Sequence, residues 1–258
     1  AEKLTAQGVK ELILVAQDTT IYGQDLYGSK QLVPLLERLS QIDGLRWIRL
    51  LYTYPAHFSD ALIDVMAEQD NICSYVDLPI QHASDRILKA MARKVKRRDL
   101  EQIIDKLRTK IPDIAIRTSL IVGFPGETAQ DFREMVDFVE RIRFERLGVF
   151  TYSREEGTPS YDFTGQVPDS VKRERWSELM DVQAEISHEV NRRRIGTVAE
   201  VLVDGYNPET NTCVGRTAWD CPGIDNSIEF GRRVEPGSFC RVRIMGCSDF
   251  ELKGILVD

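Results

Sequence analysis

The sequence has no apolar run approaching the ~20 residues that a membrane-spanning helix requires, and no signal-peptide pattern at its start. Cysteine is sparse and histidine sparser, with five and three residues in a chain of 258. No two cysteines form a C-x-x-C pair, and an odd number spread over this length argues against a disulfide framework. The spacings are also not typical of zinc. We therefore expect reduced thiols, no metal site in this chain, and a cytoplasmic protein that does not enter a membrane. The cysteines are Cys73, Cys213, Cys221, Cys240 and Cys247.

Positive charge is also in deficit, because the formal net charge is -7 and the sequence pI is about 5.2. A chain of this balance attracts a basic partner more readily than a polyanion. The arginine run 192–194 falls near the end of a charged helical segment, where cations favour a helix C-terminus. We favour the interpretation that this run caps the helix, with a nucleic-acid contact as the alternative.

What the sequence does contain is a regular alternation of strand-like and helical segments over its first two thirds. Runs that are apolar on both faces are typical of parallel strands buried under helices. The pattern predicts an α/β fold, either a parallel barrel or a doubly wound sheet, with active residues at the carboxyl ends of the strands. The five predicted strands lie within 11–18, 45–52, 74–80, 114–123 and 146–153.

The chain changes character after Pro168, where a long charged helix is predicted as far as Arg194. Beyond it, helical spacing disappears and short strands alternate with turn signals, which indicates a small all-β barrel. We therefore predict two domains, 1–194 and 195–258.

The fourth predicted strand ends in "RTSLIVGFPGET", residues 117–128, where Gly123 and Gly126 remove side chains and Pro125 stiffens the bend. A helix begins near Thr128, so its free N–H groups face the predicted mouth of the sheet. Glu127 is placed to accept hydrogen bonds from a ligand. The alternative is an ordinary tight turn between a strand and a helix.

Polar and aromatic residues also follow the other four strands, and their convergence favours a binding pocket over five loops that are polar by chance. His57 is left out, because a single loop histidine is more often packed or exposed than a ligand. The candidates are Gln17, Asp18 and Tyr22 after the first strand, Tyr52 after the second, Gln81 and His82 after the third, and Tyr152 and Ser153 after the fifth.

Three segments, "LPIQHASDRILKAMARK", "LIVGFPGET" and "FTYSREEGTPSY", closely resemble the radical S-adenosylmethionine methylthiotransferases. The resemblance covers nearly the whole chain and implies a partial (βα)6 TIM-like barrel followed by a TRAM barrel. The segment "VAQDTTIYGQDLYG" is similar to the branch that modifies an aspartate of a small-subunit ribosomal protein. The branch acting on transfer RNA typically has Gly-Gln-Asn at positions 16–18, where this chain has Ala-Gln-Asp.

The resemblance implies S-adenosylmethionine and two 4Fe-4S clusters as cofactors. The family's first strand and its C-x-x-x-C-x-x-C cluster loop would precede Ala1, and none of the five cysteines matches a cluster ligand. We therefore interpret the chain as part of a longer protein. We expect the chain alone to hold neither cluster and to be inactive.

The resemblance also implies roles for individual residues. Arg117 is a candidate for the cofactor carboxylate, with a buried structural ion pair as an equal alternative. Gln81 and His82 are further cofactor candidates. The segment matching the adenine- and ribose-side strand contains Ile121, Gly123, Phe124, Pro125, Gly126 and Glu127. The candidates for lining the cluster and target pocket are Gln17, Asp18, Tyr22, Tyr52, Tyr152 and Ser153.

Three alternatives remain open at this point. A transfer RNA methylthiotransferase should have a basic TRAM module, whereas residues 195–258 contain six Lys/Arg and ten Asp/Glu. This balance favours a basic ribosomal protein as the partner. A non-catalytic binding protein fits the absence of the cluster loop. An aldolase or lyase would need a lysine at a strand end, but Lys89, Lys94 and Lys96 lie along a predicted helix instead.

Overall fold

The computed structural model describes residues 1–257, which form eight α-helices and ten β-strands in two regions. The helices are α1 (Glu2–Ala6), α2 (Gln24–Tyr27), α3 (Leu32–Ser40), α4 (Asp60–Glu68), α5 (Asp85–Ala90), α6 (Arg97–Lys110), α7 (Ala129–Ile142) and α8 (Asp169–Arg193). The strands of the first region are β1 (Glu11–Leu14), β2 (Trp47–Leu50), β3 (Tyr75–Asp77), β4 (Ala115–Val122) and β5 (Arg146–Thr151).

These five strands are parallel and follow one another in chain order, which confirms the predicted α/β partial barrel. Strand β1 pairs with β2, and β4 pairs with both β3 and β5. A parallel bridge between Ile48 and Ile72, with a bond from the Ile48 N–H to the Asn71 carbonyl of 2.8 Å, links the two groups of strands. Parallel strands joined by helices place their carboxyl ends at one rim.

The helices begin where the sequence supplies side-chain caps. Ser59 accepts a hydrogen bond from the N–H of Leu62 at the start of α4. Thr128 and Asp131 form a reciprocal capping box at the start of α7. The apolar faces of these helices pack on the outward faces of the strands, so that residues such as Ile116 of β4 are fully buried. The main core therefore lies between the helices and the sheet.

The second region is a closed five-stranded barrel, as predicted for a TRAM-like module. Its strands occur in the order β10-β8-β7-β6-β9. The turn signals predict four strands, two within 197–217 and two within 238–258, and this prediction missed the short strand β8. The five strands are β6 (Val198–Asn207), β7 (Thr212–Arg216), β8 (Ser227–Gly231), β9 (Phe239–Cys247) and β10 (Glu251–Val257).

The two regions are in direct contact through α8 and through the loop that joins β7 to β8. From α8, the hydroxyl of Ser187 donates to the Asp249 carbonyl at 2.5 Å, and the amide of Asn191 donates to the Ser248 carbonyl at 3.1 Å. The β7–β8 loop, residues 217–226, reaches the inward faces of the parallel strands. The boundary between residues 194 and 195 stays a prediction.

Within residues 1–257, no helix combines the length and the apolar character needed to cross a bilayer.

Candidate functional site

The interior of the partial barrel is divided into a filled part and an open part. The filled part contains the 217–226 loop, where Asp220 accepts two hydrogen bonds from the Arg146 guanidinium, at 2.8 and 2.6 Å. Asp225 of the same loop accepts a hydrogen bond from the hydroxyl of Tyr75 at 2.7 Å. Arg49 donates to the Ala218 carbonyl at 2.8 Å. The loop therefore closes the interior near the amino ends of the strands.

The open part is a cavity of about 510 Å³ at the carboxyl ends of β4 and β5. Its size lies within the range of small-molecule sites, and its wall is largely apolar and aromatic with polar groups among them. We call it the rim pocket. Its lining residues are Gln81, Ala90, Met91, Ala92, Arg93, Ile121, Phe124, Phe150, Thr151, Tyr152, Ser153, Glu155, Thr158, Pro159, Ser160 and Phe163.

Five residues predicted from the sequence meet in the rim pocket. Phe124 and Tyr152 pack edge to face with ring centroids 5.3 Å apart, and the Tyr152 hydroxyl donates to the Ser160 carbonyl at 3.1 Å. Ile121 pairs with Phe150 across the strands. Gln81 and Ser153 supply polar groups at the edge. Their roles in binding stay predictions, but their proximity is a property of the fold.

The two glycines at the end of the fourth strand, Gly123 and Gly126, differ in what surrounds them. Gly123 has φ +75°, and a Cβ there would lie 2.3 Å from Cγ of Lys172 on α8. A Cβ on Gly126 would meet no atom closer than 3.9 Å, while Gly165 packs against the Gly126 backbone. At Gly123 the close approach to the backbone is therefore made by α8, whereas the space over Gly126 is open, and the expected role of both glycines in ligand binding stays a prediction. Pro125, between them, does not line the pocket.

Glu127 and His82 are buried beside this turn and do not face the pocket. The side chain of Glu127 has no exposed surface, and its carboxylate binds the Arg175 guanidinium and the N–H of Gly123, the latter at 2.9 Å. His82 Nδ1 accepts the N–H groups of Ala83 and Ser84, and its Nε2 lies 3.4 Å from the Glu127 carboxylate. The Glu127 acceptors thus have protein partners, and the expectation that Glu127 also accepts a hydrogen bond from a ligand stays a prediction.

Arg117 is engaged in ion pairs in the filled part of the interior. Its Nη1 lies 2.8 Å from Oδ1 of Asp77, and its Nε lies 3.4 Å from Oδ1 of Asp225. Of the two interpretations drawn from the sequence, the structure shows the ion pair.

The remaining predicted residues lie around β1 and β2, outside the lining of the rim pocket. Asp18 caps a short 3-10 helix by accepting the N–H of Thr20 at 2.9 Å, and its other oxygen lies 2.8 Å from Nδ1 of His57. Tyr52 has φ +54° and donates its N–H to Asp77 at 2.9 Å. Gln17 and Tyr22 are exposed. His57, omitted from the sequence-based site, is thus a direct partner of a candidate residue.

Two important lining residues were missed by the sequence analysis. Phe150 could have been found, because it alternates with the buried Val149 along β5 and so must face the barrel interior. Arg93 carried no such signal. It enters the pocket because its guanidinium stacks on the Tyr54 ring at 4.5 Å and donates to the Pro79 carbonyl at 2.6 Å.

Two carboxyl groups near the two parts of the interior have oppositely shifted pKa values. Burial raises the pKa of Asp225, although the Tyr75 hydroxyl, a backbone N–H and Arg117 act in the other direction. Burial also acts upward on Asp131, but hydrogen bonds from Arg86, Thr128 and Ser84 outweigh it and hold its pKa well below the usual range. Hydrogen bonds from protein donors therefore outweigh burial at Asp131, near the rim, but not at Asp225, in the filled part.

The cysteines do not form a site for an iron–sulfur cluster. Burial raises the pKa of Cys73 to about 12 and that of Cys221 and Cys240 to about 11, which disfavours the thiolate that binds metal. Among the described residues, no group of three or more His, Cys, Asp or Glu side chains could hold a metal ion. The rim pocket, by contrast, has the volume and the largely apolar wall that are typical of small-molecule sites.

Comparison with protein families agrees with this geometry. The model of the radical SAM superfamily matches residues 1–139, and that of the TRAM domain matches residues 195–257. Because the first match covers more than half of the chain, this protein belongs to the radical SAM superfamily.

Individual relatives confirm the predicted resemblance to methylthiotransferases. The chain is 50% identical over 256 residues to "Ribosomal protein uS12 methylthiotransferase RimO" of Desulforamulus reducens, covering 98% of this chain and 58% of that protein. It is 48% identical over 261 residues to the protein of the same name from Acetivibrio thermocellus, covering 100% of this chain and 57% of the relative. The chain thus spans somewhat more than half the length of these relatives.

A solved structure supports the fold. The chain aligns with coproporphyrinogen III oxidase (HemN) from Escherichia coli, a radical SAM enzyme, with a TM-score of 0.52 and 12% identity. The alignment covers 95% of this chain and 60% of that chain. At this identity the likeness concerns the fold alone.

Proposed function

We propose that this chain is the substrate- and cofactor-binding part of a methylthiotransferase that modifies an aspartate side-chain carbon of ribosomal protein uS12 by radical S-adenosylmethionine chemistry. The observation that carries the proposal is the identity of about half of all residues, along the full chain, with two relatives bearing that name. A ribosomal target would place the protein in the cytoplasm, which stays a prediction.

The rim pocket supports S-adenosylmethionine as the ligand of this chain. When bound, S-adenosylmethionine supplies the adenosyl and methyl groups that such a reaction uses. Ile121 lies at the pocket edge, while Phe124, Phe150 and Tyr152 supply an apolar wall that excludes water. Gln81, held at φ +73°, presents its side chain at the same edge.

Iron–sulfur clusters are required by the proposed chemistry, and the residues of this chain do not provide their ligands. We infer that both clusters are held by segments outside the 258 residues. Iron analysis of the isolated chain after anaerobic reconstitution tests this inference. We expect no stoichiometric cluster, and four irons bound per chain would contradict it.

The function is tested on the full-length protein after anaerobic reconstitution with iron and sulfide. It is incubated with small ribosomal subunits, S-adenosylmethionine and a reductant, and the proteins are digested and mapped by mass spectrometry. We expect one methylthio group on an aspartate of uS12, and no modification when S-adenosylmethionine is omitted. Modification of transfer RNA in place of uS12 in a parallel reaction, or of neither, would overturn the proposal.

A further inference from the structure

A strongly basic segment lies beside the rim pocket of this otherwise acidic protein. Residues 86–98, "RILKAMARKVKRR", contain seven Lys or Arg and no carboxylate, whereas the whole chain has a net charge of -7. The segment covers most of α5, the loop after it and the start of α6. A local concentration of one sign of charge focuses the field of the surface toward ligands of the opposite sign.

Four of the seven cations are available to a ligand. Lys89, Lys94, Lys96 and Arg98 are exposed, and none of them forms an ion pair with any other described residue. We call these four residues the basic patch. The usual interpretation of exposed charge is solvation, but here four unpaired charges of one sign lie within ten consecutive residues.

Two exposed carboxylates, Asp85 and Asp99, flank the segment and offset part of its charge, and each of them accepts a hydrogen bond from a backbone N–H. Asp85 accepts the N–H of Arg97 at 2.7 Å, and Asp99 accepts the N–H of Lys96 at 2.8 Å. Both acids therefore fix the course of the loop and the start of α6. The loop that presents the lysines is held in place by the protein and needs little ordering when a ligand binds.

The basic patch is also continuous with the rim pocket. A second cavity, of about 640 Å³, is lined by five cations and two carboxylates, so that positive charge is in excess: Arg86, Lys89, Arg93, Lys94 and Lys96 against Asp85 and Asp99. Arg93 lines the rim pocket as well, so the two cavities share this residue. A macromolecule whose target side chain entered the rim pocket would therefore meet the patch at the entrance.

The positive charge of the basic patch indicates which kind of macromolecule it binds. A basic ribosomal protein by itself would be repelled by four unpaired cations at the entrance, whereas the phosphates of RNA would be attracted and would release counterions. The small barrel is the less suitable surface for that purpose, with six Lys/Arg against ten Asp/Glu.

We propose that the basic patch binds the phosphate backbone of RNA, so that the target protein is recognised together with the RNA to which it is bound. The claim that the target protein is recognised together with its RNA rests on the proposed function, whereas the claim that the basic patch binds RNA does not. RNA binding can be measured without cofactor or turnover, so its failure would leave the proposed methylthiotransferase activity standing, and the reverse also holds.

The test uses the 258-residue chain, a fluorescein-labelled RNA hairpin, and fluorescence anisotropy over a series of salt concentrations. In the patch variant, Lys89, Lys94, Lys96 and Arg98 are changed to Gln. In the matched control, four exposed cations of the small barrel are changed to Gln. The control residues are Arg233, Arg241, Arg243 and Lys253.

We expect the patch variant to bind RNA at least about tenfold more weakly, and the slope of log K against log salt to fall by about three. The control variant should change the affinity less than about twofold. Unlabelled polyglutamate should compete poorly, because the sites are arranged for phosphates. Unaltered binding by the patch variant, an equal loss in the control, or equal competition by polyglutamate would overturn the proposal.

Thermal melting of both variants is followed by circular dichroism, because a variant that fails to fold would lose RNA binding whether or not the patch contacts RNA. If the patch variant melts early, the double variant Lys94→Gln, Lys96→Gln replaces it. Both of these lysines are exposed, and we expect a loss of about half the salt slope seen for four changes.

Discussion

The filled and open parts of the barrel interior are built by the same strands and yet have opposite character. Near the amino ends, the inward residues of β3 to β5 are charged or hydroxylated and bind the 217–226 loop, as Arg117 binds Asp225 and Arg146 binds Asp220. Near the carboxyl ends, Ile121 and Phe150 face the rim pocket. The difference teaches that the 217–226 loop of the small barrel fills one end of the interior and leaves the other end open.

The buried ion pair of the filled part should give the largest effect on stability. Arg146 and Asp220 are 5% and 1% exposed, so Asp220→Asn leaves a buried cation without its partner. We expect the free energy of unfolding to fall by about 3–5 kcal/mol in urea titrations. The control is Glu200→Gln, which removes the exposed interdomain ion pair with Arg46 and should cost less than about 1 kcal/mol. Similar losses in the two variants would show that the loop does not stabilise the filled part.

The glycine at the rim should give the next largest effect. Gly123→Ala introduces a side chain at φ +75° and places its Cβ against Lys172. We expect a loss of about 2–4 kcal/mol in the same titrations, from backbone strain and overpacking. Gly157→Ala, at φ +80° with no atom within 4 Å of a new Cβ, isolates the backbone part, about 1 kcal/mol. Equal costs at both positions would mean that Lys172 moves away freely.

The aromatic wall of the rim pocket should affect ligand binding and not stability. Phe150 is 56% exposed, so Phe150→Ala should leave the melting temperature nearly unchanged. We expect S-adenosylmethionine to bind the full-length reconstituted protein about tenfold more weakly by calorimetry, a difference of about 1.4 kcal/mol. The control is Phe250→Ala on the small barrel, where Phe250 is 48% exposed. A binding constant that is unaltered by Phe150→Ala would place the cofactor elsewhere.

The two carboxyl groups with opposite pKa shifts should give the smallest effect, visible as a dependence on pH. The lowered pKa of Asp131 means that its ionised form stabilises the fold above about pH 4, its ordinary value being 3.8, and that this is lost as the pH falls. The raised pKa of Asp225 has the reverse sign, so its contribution improves as the pH falls toward 3.8.

Unfolding titrations between about pH 3 and pH 7 test both signs at once. Relative to the unaltered protein, the deficit of Asp131→Asn should shrink below about pH 4, while the deficit of Asp225→Asn should grow as the pH falls from 7 toward 4. Parallel profiles for the two variants would remove the electrostatic distinction between the rim and the filled part.

Much of the architecture followed from local sequence patterns. Continuous apolar runs indicated all five parallel strands, because a strand covered on both faces needs no polar side. The caps at Ser59 and Thr128 marked the starts of α4 and α7. Strand β8 was missed, because five residues with a glycine at the end carry too weak an alternation.

The candidate site was predictable only in part. Strand ends pointed to Ile121, Phe124 and Tyr152, since parallel strands bring their carboxyl ends together whatever the details of packing. The protein partners of Glu127 and Gly123, which are Arg175 and Lys172, were not predicted, because they come from α8, about 45 residues or more further along the chain. The local sequence pattern does not indicate contacts between residues so far apart in the chain.

The sequence by itself determined the class of fold, the positions of the strand ends and the family, because these depend on periodicity, turn residues and motifs that act over short distances. Tertiary structure alone decided which end of the barrel is filled and which is open. It did so by bringing the 217–226 loop against Tyr75, Arg117 and Arg146. Buried charges find partners wherever the folded chain supplies them, and that choice is made in three dimensions.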